Sequence, residues 1–248
     1  MEQIYTIPVI EAFEAAAENP ACGCPLCALY RRLEENELDL ILGASMMEPD
    51  VRIQTNKEGF CRTHYDMMFV RKNRLGMALT LESHLKELQE ELKGGFFDHL
   101  RGRPDAGPAR RIAALENSCY VCRRIGFHFT HMAETVVLLY DADEAFEEKL
   151  KKQPYFCLPH YRLLLETAAA RLPKKKLPDF VKIVRDVTET YMKTLTDDVS
   201  WFCKKFDYRF DAEPWGNAKD SVERAMRFLR SDLHRPPDKE TKPGKDTP

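Results

Sequence analysis

No stretch of this chain approaches ~20 uninterrupted apolar residues, so no membrane-spanning helix is expected. The opening, Met1-Glu2-Gln3-Ile4-Tyr5, lacks the basic segment and apolar core of a secretion signal. A reducing, cytoplasmic setting is therefore the expectation. Charge of one sign is also missing: 38 Lys and Arg face 40 Asp and Glu, for a net charge of -2. Such a balance offers no global attraction to nucleic acid or to an anionic membrane. No segment alternates apolar and polar residues convincingly, so strands are not expected. There is no Gly-rich phosphate loop and no G-x-S-x-G elbow, so neither phosphate cradling nor that type of acyl transfer finds support. Tryptophan is scarce, and Trp201 and Trp215 read most simply as core or interface anchors.

Cysteine is what the chain does have, in an ordered pattern. Apolar residues make up 44% and charged ones 31%, as in an ordinary globular protein, yet there are eight cysteines. Cys24-x-x-Cys27 is followed, after 33 intervening residues, by Cys61-x-x-His64. Cys119-x-x-Cys122 is followed, after 34, by Cys157-x-x-His160. The two copies are offset by 95 residues at Cys24/Cys119 and by 96 at His64/His160. This is the signature of an internal duplication, with units expected over residues 1–103 and 104–233 and a disordered tail over 234–248. In a reducing compartment such pairs serve as metal ligands or redox centres more readily than as disulfides.

The spacing carries the chemistry. Residues i and i+3 at a helix start lie on one face, one turn apart. Free N–H groups and the helix dipole there favour thiolate over thiol. Each half-site is thus a bidentate clamp, and two clamps complete a tetrahedral Cys3His zinc site. The expected pairing is within each copy: Cys24, Cys27, Cys61 and His64 for one Zn2+, and Cys119, Cys122, Cys157 and His160 for the other. Four protein ligands leave no position for water, which points to a structural role rather than hydrolysis. An iron–sulfur cluster is the chemical alternative, and Cys22 beside Cys24 would suit it, although clusters usually take four thiolates. The second clamps match beyond their ligands. Phe60-Cys61-Arg62-Thr63-His64-Tyr65 parallels Phe156-Cys157-Leu158-Pro159-His160-Tyr161, with Phe and Tyr placed to shield the metal.

The apolar period is helical almost throughout. Helices are expected over Ile7–Glu18, from Pro25 to Leu42, and over Tyr65–Asn73 and Leu75–Leu92. The last carries a leucine stripe and stops at Gly94-Gly95. Ala44–Gly59 reads as an extended return path, and Arg101–Pro108 as a linker. In the second copy, helices are expected from Cys119 to Tyr140, capped by Asn117 or Ser118, and over Glu144–Lys152 and Tyr161–Leu172. A basic turn, Lys174-Lys175-Lys176, precedes the longest helix, whose face runs from Phe180 through Val184, Val187, Tyr191, Leu195, Val199 and Phe202 to Phe206. Ser221–Leu233 closes the set.

Other groups have plainer explanations. His128-x-x-His131-x-x-Glu134 lies along one helix face and could form a further metal or acid–base site. The first copy has Leu33, Asn36 and Asp39 there, so a polar surface is favoured. Glu34-Glu35-Asn36-Glu37 with Asp39 reads as a solvated face, and His84 and His99 lack a ligand-like setting. Cys203 reads as a packed thiol. Lys174–Lys176 and Arg110-Arg111 could touch phosphate, but no aromatic side chains interleave with them.

The segments IPVIEAFE, CGCPLC, LEENELDLILGASMMEPDVR and GFCRTHYDMM, between Met1 and Leu85, resemble an uncharacterised bacterial family of similar length, a domain of unknown function. Some of its members carry an automatic label as ABC-transporter substrate-binding proteins. The absent signal peptide and lipobox, and helices that do not suggest two α/β lobes, contradict that label here. The resemblance implies a bacterial origin and no activity. The expectation is an all-α protein of two related helical units, non-enzymatic, serving as a scaffold or adaptor for another protein. A redox- or metal-responsive regulator acting through Cys24-x-x-Cys27 and Cys22 is the alternative.

Overall fold

The computed structural model describes residues 3–93 and 107–234. Among these, all regular structure is helical. Eleven α-helices follow in order: α1 (Gln3–Glu18), α2 (Pro25–Leu42), α3 (Pro49–Glu58), α4 (Arg62–Val70), α5 (Arg74–Glu91), α6 (Gly107–Glu116), α7 (Tyr120–Ala142), α8 (Glu144–Lys151), α9 (Leu158–Arg171), α10 (Leu177–Lys204) and α11 (Ser221–Arg230). No described helix is long and apolar enough to cross a membrane.

Two compact units result. One holds the described residues up to Arg31 and those from Ala133 onward; the other spans Arg32–Met132. The sequence-repeat boundary at residues 103/104 lies outside the described residues, as do Gly94-Gly95, His99, Arg101–Ala106 and the tail beyond His234.

In the first unit, α1 packs on α8, and α9, α10 and α11 pack on one another. Aromatic rings fill its centre. Phe13 stands 5.2 Å from Phe146 and 6.3 Å from Phe156, Tyr140 meets Phe180 edge-on at 5.0 Å, and Tyr155 stacks on Tyr191 at 4.1 Å. Such contacts add to the large apolar area each ring buries. Phe180, Val184 and Leu195 of α10 are buried as the sequence period requires. The end of that helix departs from it. Phe206 and Cys203 are exposed, and Lys205 is buried instead. Lys205 Nζ donates to the carbonyls of Phe210 (2.5 Å), Asp211 (3.0 Å) and Glu213 (2.8 Å), tying down the following loop. Drawing Lys205 inward turns its neighbours out. Trp201 Nε1 donates to Pro214 O at 3.1 Å and Trp215 packs on Phe202 at 5.7 Å, so both tryptophans anchor that loop.

In the second unit, α3 packs on α5 and α6, and α4 on α5. Ala44–Gly59 is not an extended path. It forms a 3-10 turn (Ala44–Met47) and then α3, with Pro49 in the first helical turn, where its missing N–H costs nothing. Gly107 and Pro108 likewise begin α6 rather than extending a linker. The inward stripe of α5 is Gly76, Met77, Thr80 and His84, and Leu75 and Leu85 face out. Polar contacts explain this choice. His84 Nδ1 lies 2.9 Å from Asn56 O, Ser83 Oγ donates to Asn56 Oδ1 (3.0 Å), and Asn56 Nδ2 donates to Glu87 Oε2 (2.7 Å). Buried Asn56 must be paired, and α5 supplies the pairs.

A candidate metal centre in each unit

Each of the four clamps starts with a cysteine immediately before a helix. Its carbonyl accepts the first intrahelical bond: Ala28 N donates to Cys24 O (3.3 Å), Tyr65 N to Cys61 O (3.0 Å), Arg123 N to Cys119 O (3.0 Å) and Tyr161 N to Cys157 O (2.8 Å). Cys61 and Cys157 have the extended backbone of a cap residue, at φ -69 and -63. The second ligand then falls three residues on, one turn along the same face. Gly23 and Gly59 supply the turns into two of the clamps, at φ +74 and +58, a region that side-chain-bearing residues rarely adopt.

The pairing differs from the sequence expectation. Cys24 and Cys27 do not meet Cys61 and His64; they meet Cys157 and His160, within the first unit. Cys61 and His64 meet Cys119 and Cys122, within the second. The first clamp of one repeat is joined to the second clamp of the other. In each group the four ligand atoms lie within 4.8 Å of one another.

The internal distances suit a small tetrahedral ion. In the first unit, His160 Nδ1 is 3.5 Å from Cys24 Sγ, 3.4 Å from Cys27 Sγ and 3.2 Å from Cys157 Sγ. Cys27 Sγ and Cys157 Sγ are 3.7 Å apart. In the second, His64 Nδ1 is 3.1 Å from Cys61 Sγ, 3.3 Å from Cys119 Sγ and 3.4 Å from Cys122 Sγ. Cys61 Sγ and Cys122 Sγ are 3.8 Å apart. Zinc bonds of ~2.3 Å to sulfur and ~2.0–2.1 Å to nitrogen give tetrahedral edges of about 3.8 Å (S···S) and about 3.5 Å (S···N). The Cys27–Cys157 and Cys61–Cys122 edges match, and the nitrogen edges are slightly tighter.

Electrostatics point the same way. In the first unit, burial pushes the Cys24 thiol up, but hydrogen bonds from Cys157 and Cys27 outweigh it and hold Cys24 well below the usual thiol range. Cys157, bonded to Cys24 and Cys27, is pushed up. In the second unit, a hydrogen bond from Cys122 brings Cys119 down to about 3 against its burial. Cys122 is pushed up by that same bond. One thiolate per cluster is favoured and further negative charge beside it is not, a conflict that a bound cation removes. His64 is buried, which disfavours its charge, yet hydrogen bonds to Cys119 and Glu34 raise its pKa to about 10.

Phe60 and Phe156 are buried, and Tyr65 meets Phe60 edge-on at 5.4 Å. Cys22 is exposed and belongs to neither cluster. The acidic run on α2 departs from expectation in part. Glu34 and Glu37 are 1% and 6% exposed, whereas Asn36 and Asp39 are exposed as expected. Glu34 Oε1 lies 3.0 Å from His64 Nε2, and Glu37 Oε2 accepts from Arg124 Nε at 2.7 Å. Glu34 follows Cys27 by two helical turns, a spacing that marks the clamp-bearing face; Phe129 has that offset from Cys122. His128, His131 and Glu134 do not converge. His128 lies toward Glu37 at 3.9 Å, His131 packs on Phe127 at 4.8 Å, and Glu134 pairs with Arg171.

An all-α protein with two Cys3His clusters able to hold metal is the class these observations define. The chain belongs to the family of unknown function DUF6062, whose model matches residues 1–236. No curated protein and no solved structure matches it.

Proposed function

We propose that this protein is a zinc-stapled helical scaffold, non-enzymatic, that binds another protein. Cys24, Cys27, Cys157 and His160 hold one Zn2+, and Cys61, His64, Cys119 and Cys122 hold the other. The observation that carries this reading is the closed donor set. Three sulfurs and one imidazole nitrogen lie within 4.8 Å of one another in each cluster, so protein groups take every position a reacting water would need. Each metal would pin two helix N-termini together, which stabilises the folded chain because the unfolded chain has no preformed site. Three cysteines and a histidine per cluster, with Cys22 outside both, favour zinc over an iron–sulfur cluster. On α11, Val222, Met226 and Leu229 are exposed on one face, the kind of apolar surface that protein association covers.

Elemental mass spectrometry, with a visible spectrum, tests this on protein purified anaerobically without a metal-binding tag. About two zinc per chain in a colourless solution is the expected result. Iron with charge-transfer absorption would replace the reading with redox chemistry.

A further inference from the structure

Solvent reaches the two clusters to different degrees. In the first unit Cys24, Cys27 and Cys157 are 2%, 2% and 0% exposed. The chain after α11 also lies against Cys27. Asp232 N donates to Cys27 Sγ at 3.4 Å, and Arg31 Nη1 holds Asp232 in place by donating to its carbonyl at 2.7 Å. In the second unit Cys122 is exposed and Cys61 half-buried, with their sulfurs 3.8 Å apart. Closing that gap to a disulfide requires a movement of about 1.8 Å, toward an S–S bond of ~2.05 Å.

We propose that Cys61 and Cys122 form a peroxide-sensitive dithiol, whose oxidation to a disulfide empties the second unit's metal site while the first unit keeps its metal. This rests on the zinc reading above. Exposure reverses the expectation from sequence, which placed such a switch at Cys24-x-x-Cys27.

The chemistry balances with hydrogen peroxide as the oxidant. Bound Zn2+ would hold Cys122 as a thiolate against the upward push of Cys119; its exposed sulfur attacks one peroxide oxygen, the O–O bond breaks, and the departing hydroxide takes a proton to become water. Cys122 is left as a sulfenic acid. The Cys61 thiolate attacks that sulfur, the S–S bond forms, the S–O bond breaks, and a second hydroxide leaves as water after protonation. Two thiolates, one peroxide and two protons give one disulfide and two waters. The sulfurs lose two electrons and the peroxide gains them. The site loses two of its four ligands, so its zinc is released.

The test uses the full chain carrying C22S and C203S, which removes the exposed thiols outside both clusters. Zinc content is measured first. Hydrogen peroxide is then titrated with a zinc-binding dye present, and disulfides are mapped by peptide mass spectrometry after blocking of free thiols. Expected are the release of one zinc of two, a Cys61–Cys122 bridge, and restoration by dithiothreitol with added zinc. Release of both zincs together or of neither, or a first bridge that includes Cys24, Cys27 or Cys119, overturns the proposal and leaves the zinc reading intact. A starting protein without two zinc per chain defeats the zinc reading, and this inference with it.

Discussion

His64 Nε2 lies 3.0 Å from Glu34 Oε1, with 0% and 2% of the two side chains exposed, while His64 Nδ1 faces three sulfurs. One ring nitrogen is turned to the metal position and the other donates to a sealed carboxylate. That arrangement sets the tautomer, holds the ring plane and makes Nδ1 a better ligand. Glu34→Ala is expected to weaken zinc binding at the second unit's site by about 10- to 100-fold. The first unit's site should not change. Competition with a chromogenic chelator, read as two separate binding steps, checks this. Glu34→Gln keeps an acceptor oxygen and should fall between the two. Equal weakening of both sites would refute the positioning role.

Metal removal should unfold structure, not merely empty a pocket. Treating the protein with a strong chelator at neutral pH is expected to lower the helical circular dichroism signal and the midpoint of thermal unfolding. Zinc should restore both. Because thiol protons must leave as metal binds, zinc affinity should fall as the pH is lowered. A chelated protein with unchanged helicity and midpoint would remove the stapling role.

Gly23 leads into Cys24 at φ +74, and a Cβ built there would lie 3.0 Å from the Tyr155 hydroxyl oxygen. Gly23→Ala therefore combines backbone strain with a close contact, a loss of about 1–3 kcal/mol. For a chain of this size each kcal/mol lowers the unfolding midpoint by roughly 2–4 °C. Scanning calorimetry of the zinc-loaded variant provides the measurement, and an unchanged midpoint would show that the turn tolerates a side chain.

Arg31→Ala frees the carbonyl of Asp232 and, through it, the N–H that meets Cys27 Sγ. Cys27 should then react faster with an alkylating reagent in metal-free protein, as judged by mass spectrometry of its peptide. The rate at Cys122, already exposed, serves as the internal control. Identical Cys27 rates in the two proteins would mean that Asp232 does not cover the thiol.

Lys205 joins three loop carbonyls at the end of α10. Lys205→Met keeps the aliphatic stem and leaves those acceptors without their charged donor, at a cost of about 2 kcal/mol. Urea unfolding should show a lower midpoint with zinc content unchanged.

Much of the candidate site was legible in the chain. Cys24, Cys27, Cys61, His64, Cys119, Cys122, Cys157 and His160 stand out because i, i+3 spacing before a helical period makes a clamp whatever the surroundings. Glu34 was not legible as a partner of His64. Its burial depends on α4 packing its histidine against α2, and a run of acidic residues is usually solvated. The inward stripe of α5 was misleading for a related reason: Leu75 and Leu85 show stronger apolar periodicity than Thr80 and His84, but buried Asn56 on α3 needed polar partners.

Periodicity and local spacing act within a few turns of chain, so the helical class and the eight Cys and His residues of the two clusters were already legible there. Which clamp meets which was decided only by tertiary structure. The 33- and 34-residue inserts are long enough to permit closure within each repeat, yet α2 alone, at 18 residues, carries the chain about 27 Å along its axis from the first clamp. Side-chain packing of α9 in the first unit and of α4 in the second then set the partners. Burial, and with it the difference between a covered Cys27 and an open Cys122, follows from the same packing and has no signature in the spacing.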